Sequence, residues 1–129
     1  MSGRVVHFEV PFDDADRAKG FYQEAFGWAI MSMPELQYNM VSSGPSDPQT
    51  GPTEPGFING GMFERGINPV TSPVLVIDVP DVDEALEKIE KLGGQTVTPK
   101  VAVGDMGYSA YFKDTEGNVL GLWQSVQQA

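Results

Sequence analysis

A pattern that occurs twice constrains this chain more than any other feature. His7-Phe8-Glu9-Val10-Pro11 runs on through Asp14-Ala15-Asp16-Arg17-Ala18 to Gly27, and Val74-Leu75-Val76-Ile77-Asp78-Val79-Pro80 runs on through Asp81-Val82-Asp83-Glu84-Ala85 to Gly94. Each copy reads strand, turn, helix, glycine. Val5 to Val10 has the length and residue types of a strand, ended by Pro11. A helix follows from about Asp14, where Asp13 or Asp14 can accept hydrogen bonds from unpaired amides. Ala18, Tyr22 and Ala25, with Phe21 and Phe26 beside them, make its apolar stripe, and Gly27 supplies a left-handed stop. In the second copy Asp81 or Pro80 opens the helix, Val82, Ala85, Leu86, Ile89 and Leu92 form the stripe, and Gly93-Gly94 ends it.

Short strands follow each helix. In the first copy these are Trp28 to Met33, Leu36 to Ser42 and Phe57 to Phe63, with a loop of Gly, Pro, Ser and Thr from Gly44 to Gly56. That loop reads equally as a lid or as an ordinary surface excursion. Gly60-Gly61 inside a strand predicts a bulge or a close approach by another group. Gly66 to Pro73 links the copies. In the second copy the strands are Gln95 to Thr98, Tyr108 to Lys113 and Val119 to Trp123, the last two flanking the hairpin turn Asp114-Thr115-Glu116-Gly117-Asn118. Ser125 to Ala129 is polar and expected to fray. Each half is thus a strand and a helix followed by about three strands. A four-stranded half cannot bury its apolar sheet face alone, so the halves are expected to pair, within one chain or by exchange in a homodimer.

Charge and composition narrow the partners. Eight basic against eighteen acidic residues give a formal net charge of -10, which disfavours nucleic acid and anionic membranes. With no cysteine there is no disulfide, thiolate metal site or catalytic thiol, which fits a reducing cytoplasm. No long apolar run follows a basic patch at the N-terminus, so neither a signal peptide nor a membrane span is expected. No serine sits in a glycine-flanked nucleophile elbow, and Gly104 and Gly107 lack the strand-to-helix setting of a phosphate loop.

The paired modules, the helix Asp16-Arg17-Ala18-Lys19-Gly20-Phe21-Tyr22 leading to Phe26-Gly27-Trp28, and the ending Gly117-Asn118-Val119-Leu120-Gly121-Leu122-Trp123-Gln124 carry a family resemblance. The chain resembles the glyoxalase, bleomycin-resistance and extradiol-dioxygenase superfamily, also called vicinal oxygen chelate. Within it, the ending is similar to the predicted enzymes related to lactoylglutathione lyase. The resemblance implies an α+β fold in which two paired βαβββ modules, 1–66 and 72–125, form a curved mixed sheet around a cavity with helices outside, in one domain over 1–129. It also implies a metal held on the first and last strands of each module. The first-strand positions fall on His7 and Val74, the second module's last-strand position falls on Gly121, and the first module's lies near Gly60 to Glu64 without a settled alignment. Only His7 of the assigned three can ligate, so the expectation is no complete metal site and no cofactor. An atypical site would use His7 with Glu9 or Glu64, or with Asp105.

His7, the only histidine, and Glu9 share a strand face by the two-residue period. A carboxylate there would tune the imidazole near neutral pH as base or binding group. The plainer reading is a buried, hydrogen-bonded polar pair. Trp28, Tyr38, Tyr111, Gly121 and Trp123, with Met40 and Tyr108, are the expected lining of a pocket for a small apolar or aromatic ligand, although aromatic residues on strands also serve as core. Three functions follow: a ligand-binding module of unassigned chemistry as the main reading, a lyase or isomerase using His7 as base or metal ligand as its alternative, and a structural module with a filled interior.

Overall fold

In the computed structural model, which describes residues 3–48 and 50–126, two compact units emerge. One is His7–Pro73, and the other holds the described residues of Met1–Val6 and Val74–Ala129. In the first, β1 (Val5–Phe12) leads to α1 (Ala15–Phe26), β2 (Ala29–Met33), a 3-10 turn at Pro34–Leu36 and β3 (Tyr38–Ser42). A two-residue pair, β4 (Ser46–Asp47) with β5 (Gly51–Pro52), precedes β6 (Asn59–Glu64). The sheet runs β2-β3-β6-β1, with β1 parallel to β6 and the other pairs antiparallel.

Local chemistry explains the helix ends. Asp14 has extended backbone and its carboxylate accepts from the Arg17 amide at 2.9 Å, while Gly27 takes φ 72° and closes the helix onto the Gln23 carbonyl. Phe12, Val41 and Met62 form the core, and Phe8, Val10, Ala15, Ala18, Tyr22, Trp28 and Ile30 pack on it. Phe8 and Val10 therefore face α1, and His7 and Glu9 face the other side of the sheet. The half-buried stripe runs Ala15, Ala18 and Tyr22, and Trp28 stacks on Tyr22 with ring centroids 4.6 Å apart. Ala25, expected in the stripe, is exposed.

The other unit repeats the topology: β7 (Val74–Asp78), α2 (Val82–Lys91), β8 (Gln95–Val103), β9 (Gly107–Lys113) and β10 (Val119–Ser125), ordered β7-β10-β9-β8 with β7 parallel to β10. Asp81 caps α2 through the Glu84 amide, and Val82, Leu86, Ala110, Phe112 and Leu122 form the core beneath it. Leu92 is the C-cap residue and is exposed, so it does not extend the buried stripe. The expected short strand at Gln95 continues to Val103, through Pro99, as an edge strand with register shifts at Thr96/Thr98 and Thr98/Val101. Proline is tolerated where the ladder is already broken. Of the end expected to fray, Ser125 to Ala129, Ser125 instead closes β10, and residues 127–129 lie outside the described residues. No described helix is long and apolar enough to cross a membrane.

Candidate functional site

The face of the first unit turned away from α1 carries a hydrogen-bonded chain of three side chains. The Tyr38 hydroxyl donates to Glu9 Oε2 at 2.8 Å, and His7 Nε2 lies 2.8 Å from the same hydroxyl. Tyr38 sits on β3 and the other two on β1, so its ring must cross β6 to reach them. Gly61 makes the crossing possible. It pairs in register with Glu9 on one side and Met40 on the other, and a Cβ at Gly61 would overlap the Tyr38 Oη and Cζ atoms. Gly60 serves the opposite face, where a Cβ would fall 2.5 Å from the Phe8 ring. The glycine pair thus marks close approach of two aromatic side chains to one strand, from both faces.

Proton counting assigns the imidazole tautomer. A tyrosine hydroxyl has one hydrogen, and here it goes to Glu9. The Tyr38 oxygen is left to accept from His7, which makes Nε2 the protonated nitrogen and Nδ1 the one with a free lone pair. Among the described residues Nδ1 has no hydrogen-bond partner. Burial lowers the His7 pKa from 6.5 to about 4, so the ring is neutral at physiological pH. The sequence suggested tuning near neutrality by Glu9. Instead Tyr38 stands between the two groups, and desolvation of the ring dominates. Glu9 itself is buried, 7% exposed, and a buried carboxylate is tolerated only when hydrogen-bonded.

The structure separates the residues that sequence reasoning grouped as a pocket. Tyr38 joins His7 and Glu9, stacking at 6.3 Å on the His7 ring and at 6.4 Å on Phe63. Trp28 does not join them: it packs with Tyr22 and Phe8 on the helix side of the same sheet, because Phe8 alternates with His7 along β1. In the other unit Gly121 pairs in register with Val76 and Tyr111, and Trp123 with Asp78 and Ser109. Tyr111, Gly121 and Trp123 share the face opposite α2, whose own side carries Ala110, Phe112 and Leu122. A Cβ at Gly121 would meet Val76 Cγ2 at 3.1 Å and Tyr111 Cε1 at 3.5 Å, so those side chains take up the space beside it. Tyr108 lies instead against the α2 core, with the Lys100 ammonium 4.6 Å from its ring centre.

The loop before β6 is tied to the site. Asn59, the register partner of His7, donates to Ser46 Oγ at 2.8 Å and accepts from the Ser43 amide, while Ser43 Oγ donates to the Ile58 carbonyl at 2.7 Å. Sequence reasoning missed the bridging role of Tyr38 and the part of Asn59. The Gly60-Gly61 pair was the available signal for the first; nothing in the sequence marked the second.

Comparison with known proteins agrees with this architecture. Residues 4–44 match the family model described as bleomycin resistance protein-like N-terminal. "Putative glyoxylase CFP32" of Mycobacterium tuberculosis is 30% identical over 117 residues, covering 87% of this chain, and the chain spans only 42% of the length of that relative. A glyoxylase-like domain-containing protein of Didymella fabae is 27% identical over 122 residues, covering 92% of this chain and 91% of its own. Methylmalonyl-CoA epimerase of Streptomyces coelicolor superposes with a TM-score of 0.64, at 17% identity, over 98% of this chain and 97% of that one. The chain has the glyoxalase and bleomycin-resistance superfamily fold. At 17% identity the epimerase likeness concerns the fold alone.

With the superfamily fold in place, the expected metal positions can be tested. Glu9 and Val76 each lie two residues beyond the first-strand positions His7 and Val74, and their register partners on the last strands are Gly61 and Gly121. The repeat therefore assigns Gly61 to the position that sequence alone left open. The four positions hold His7, Gly61, Val74 and Gly121, of which three have no ligating side chain. Glu64 pairs with Phe12, five residues beyond His7, and alternates onto the other face. Asp105 lies in the turn between β8 and β9. Among the described residues no group of three or more His, Cys, Asp or Glu could hold a metal ion. The residues present do not fit the superfamily's metal centre.

Proposed function

We propose that this protein binds a small carbonyl compound on the His7 face and moves a proton on it, as an isomerase or lyase whose base is His7 Nδ1. The observation that carries the reading is the chain His7 Nε2-H to Tyr38 O-H to Glu9 Oε2. When Nδ1 takes up a proton from a carbon beside a carbonyl, the imidazolium charge spreads through Nε2-H toward the Glu9 carboxylate by way of the Tyr38 hydroxyl. Neither Tyr38 nor Glu9 needs to leave its place for this step. The names of the relatives, a glyoxylase and an epimerase, support proton-transfer chemistry over simple binding. The closing Gly117 to Gln124 segment supports a place among the relatives of lactoylglutathione lyase.

The test is solvent deuterium exchange at carbons flanking carbonyl groups, followed by proton NMR over a panel of small ketones, thioesters and esters. Wild type is expected to catalyse exchange on some of them, and His7→Ala to lose about 100-fold or more. Since the base has a pKa of about 4, kcat/KM should stay level above pH 5 and fall as the pH drops through 4. Exchange that survives His7→Ala, or an acid limb centred at pH 6.5, would remove His7 from the role of base.

A further inference from the structure

The two modules finish their outer strands differently. Among the described residues β2 has β3 as its one hydrogen-bonded neighbour and β8 has β9, so each presents an outer row of backbone amides and carbonyls. Such edges are blunted by proline, lysine and bulges, because a regular one templates another strand. β8 has all of these devices: Pro99, Lys100, and register shifts at Thr96/Thr98 and Thr98/Val101. Lys100 is held in place by Asp83 at 3.3 Å and lies 4.6 Å from the Tyr108 ring centre.

β2 has none of them. Ala29-Ile30-Met31-Ser32-Met33 contains no charge, proline or glycine, and keeps an unbroken register with β3 from Ala29 against Ser42 to Met33 against Tyr38. Ala29, Met31 and Ser32 are exposed, Met31 at 58%. Two further exposed apolar rings lie near the start of this strand. Phe21 and Phe26 are in edge contact at 6.4 Å, and Phe26 touches Trp28, which directly precedes β2, at 6.1 Å.

The strand is complementary to itself. An antiparallel pairing about a two-fold axis at Met31 sets Met31 opposite Met31, Ile30 opposite Ser32, and Ala29 opposite Met33, so that a small side chain meets a larger one on each side of the axis. Charge favours the same contact. Two copies with a formal net charge of -10 each repel, and an uncharged strand lets them approach without setting carboxylates face to face. We propose that β2 docks β2 of a second copy in this arrangement, joining the two β2-β3-β6-β1 sheets edge to edge. No module changes chain in this contact, and it does not depend on the chemistry at His7. A five-residue strand is only about 17 Å long, well short of the roughly 800 Å² per partner of a standard interface, so the dimer is a weak one.

The test is sedimentation equilibrium of the full chain from about 10 μM to about 1 mM, the range of weak association. Wild type should dimerise within it, and more tightly as salt rises, since screening relieves the repulsion between like-charged copies. Met31→Lys and Met31→Glu each set two like charges opposite one another across the axis, and each should weaken dimerisation about fivefold or more. Mixed in equal amounts, the M31K and M31E chains should pair at least about fivefold more tightly than either does alone, because the axis then sets opposite charges together. That rescue would also show that both variants are folded. Wild type that stays monomeric up to about 1 mM overturns the proposal and leaves the edge to a strand of another protein. Dimerisation that neither variant weakens overturns it as well, because the copies then meet elsewhere. Variants that are monomeric alone and fail to pair when mixed rule out the two-fold axis at Met31.

Discussion

At the scale of single residues, His7 ties stability to pH. Its pKa is about 4 in the folded protein and about 6.5 when unfolded, because burial penalises the imidazolium. Between those values the unfolded chain binds a proton that the folded chain refuses. Stability is therefore full above about pH 6.5, falls as the pH drops toward 4, and loses nothing further from this group below that. The total is at most about 3 kcal/mol. Urea melts at pH 7 and pH 4.5 should show wild type losing much of this, while His7→Gln, which keeps a polar side chain without the titration, loses clearly less over the same interval. Equal losses in both proteins would show that the ring is solvated in the folded state. Asp114 acts lower on the scale: the Asn118 side chain and amide and the Glu116 amide hold its carboxyl below the usual range, so its contribution fades only in stronger acid.

At the scale of elements, the two helices have matching caps and unequal anchorage. Both start at an aspartate that accepts the amide three residues on. Yet α2 buries Val82 and Leu86, while α1 buries no residue fully and leaves Phe21 and Phe26 60% and 64% exposed. Local opening is cheapest where few apolar contacts are lost. Amide hydrogen exchange should therefore be faster across the middle of α1 than across α2, and equal protection would mean that another surface covers Phe21 and Phe26. The starts of these helices were legible in the sequence, because capping aspartates and a terminal glycine act through local geometry. Strand ends were less so. The sequence reading ends this strand at Thr98, but an edge strand with a broken register accommodates the Pro99 ring and continues to Val103, and that depends on β9 rather than on local sequence.

At the scale of the whole molecule, one topology occurs twice and the hydrogen-bonded chain of His7, Tyr38 and Glu9 once. The shared face of His7 and Glu9 was legible from the two-residue period along β1. Their link was not, because Tyr38 reaches them only when β3, β6 and β1 pair in one register, a fact spread over more than fifty residues. The repeat then supplies its own control. Gly61 and Gly121 occupy the same register position, opposite Glu9 and Val76. At Gly61 a methyl group collides with the Tyr38 phenol, whereas at Gly121 it meets the tip of Val76 at 3.1 Å and has only a few tenths of an ångström to gain. Gly61→Ala should therefore cost about 1–3 kcal/mol through overpacking, expel the Tyr38 hydroxyl and shift the His7 Nε2 resonance in nitrogen-15 spectra. Gly121→Ala should stay within about 1 kcal/mol of wild type and leave that resonance where it is. If both substitutions were equally mild and His7 unmoved, Tyr38 would not lie across β6, and the hydrogen-bonded chain on which the proposed chemistry depends would be lost with it.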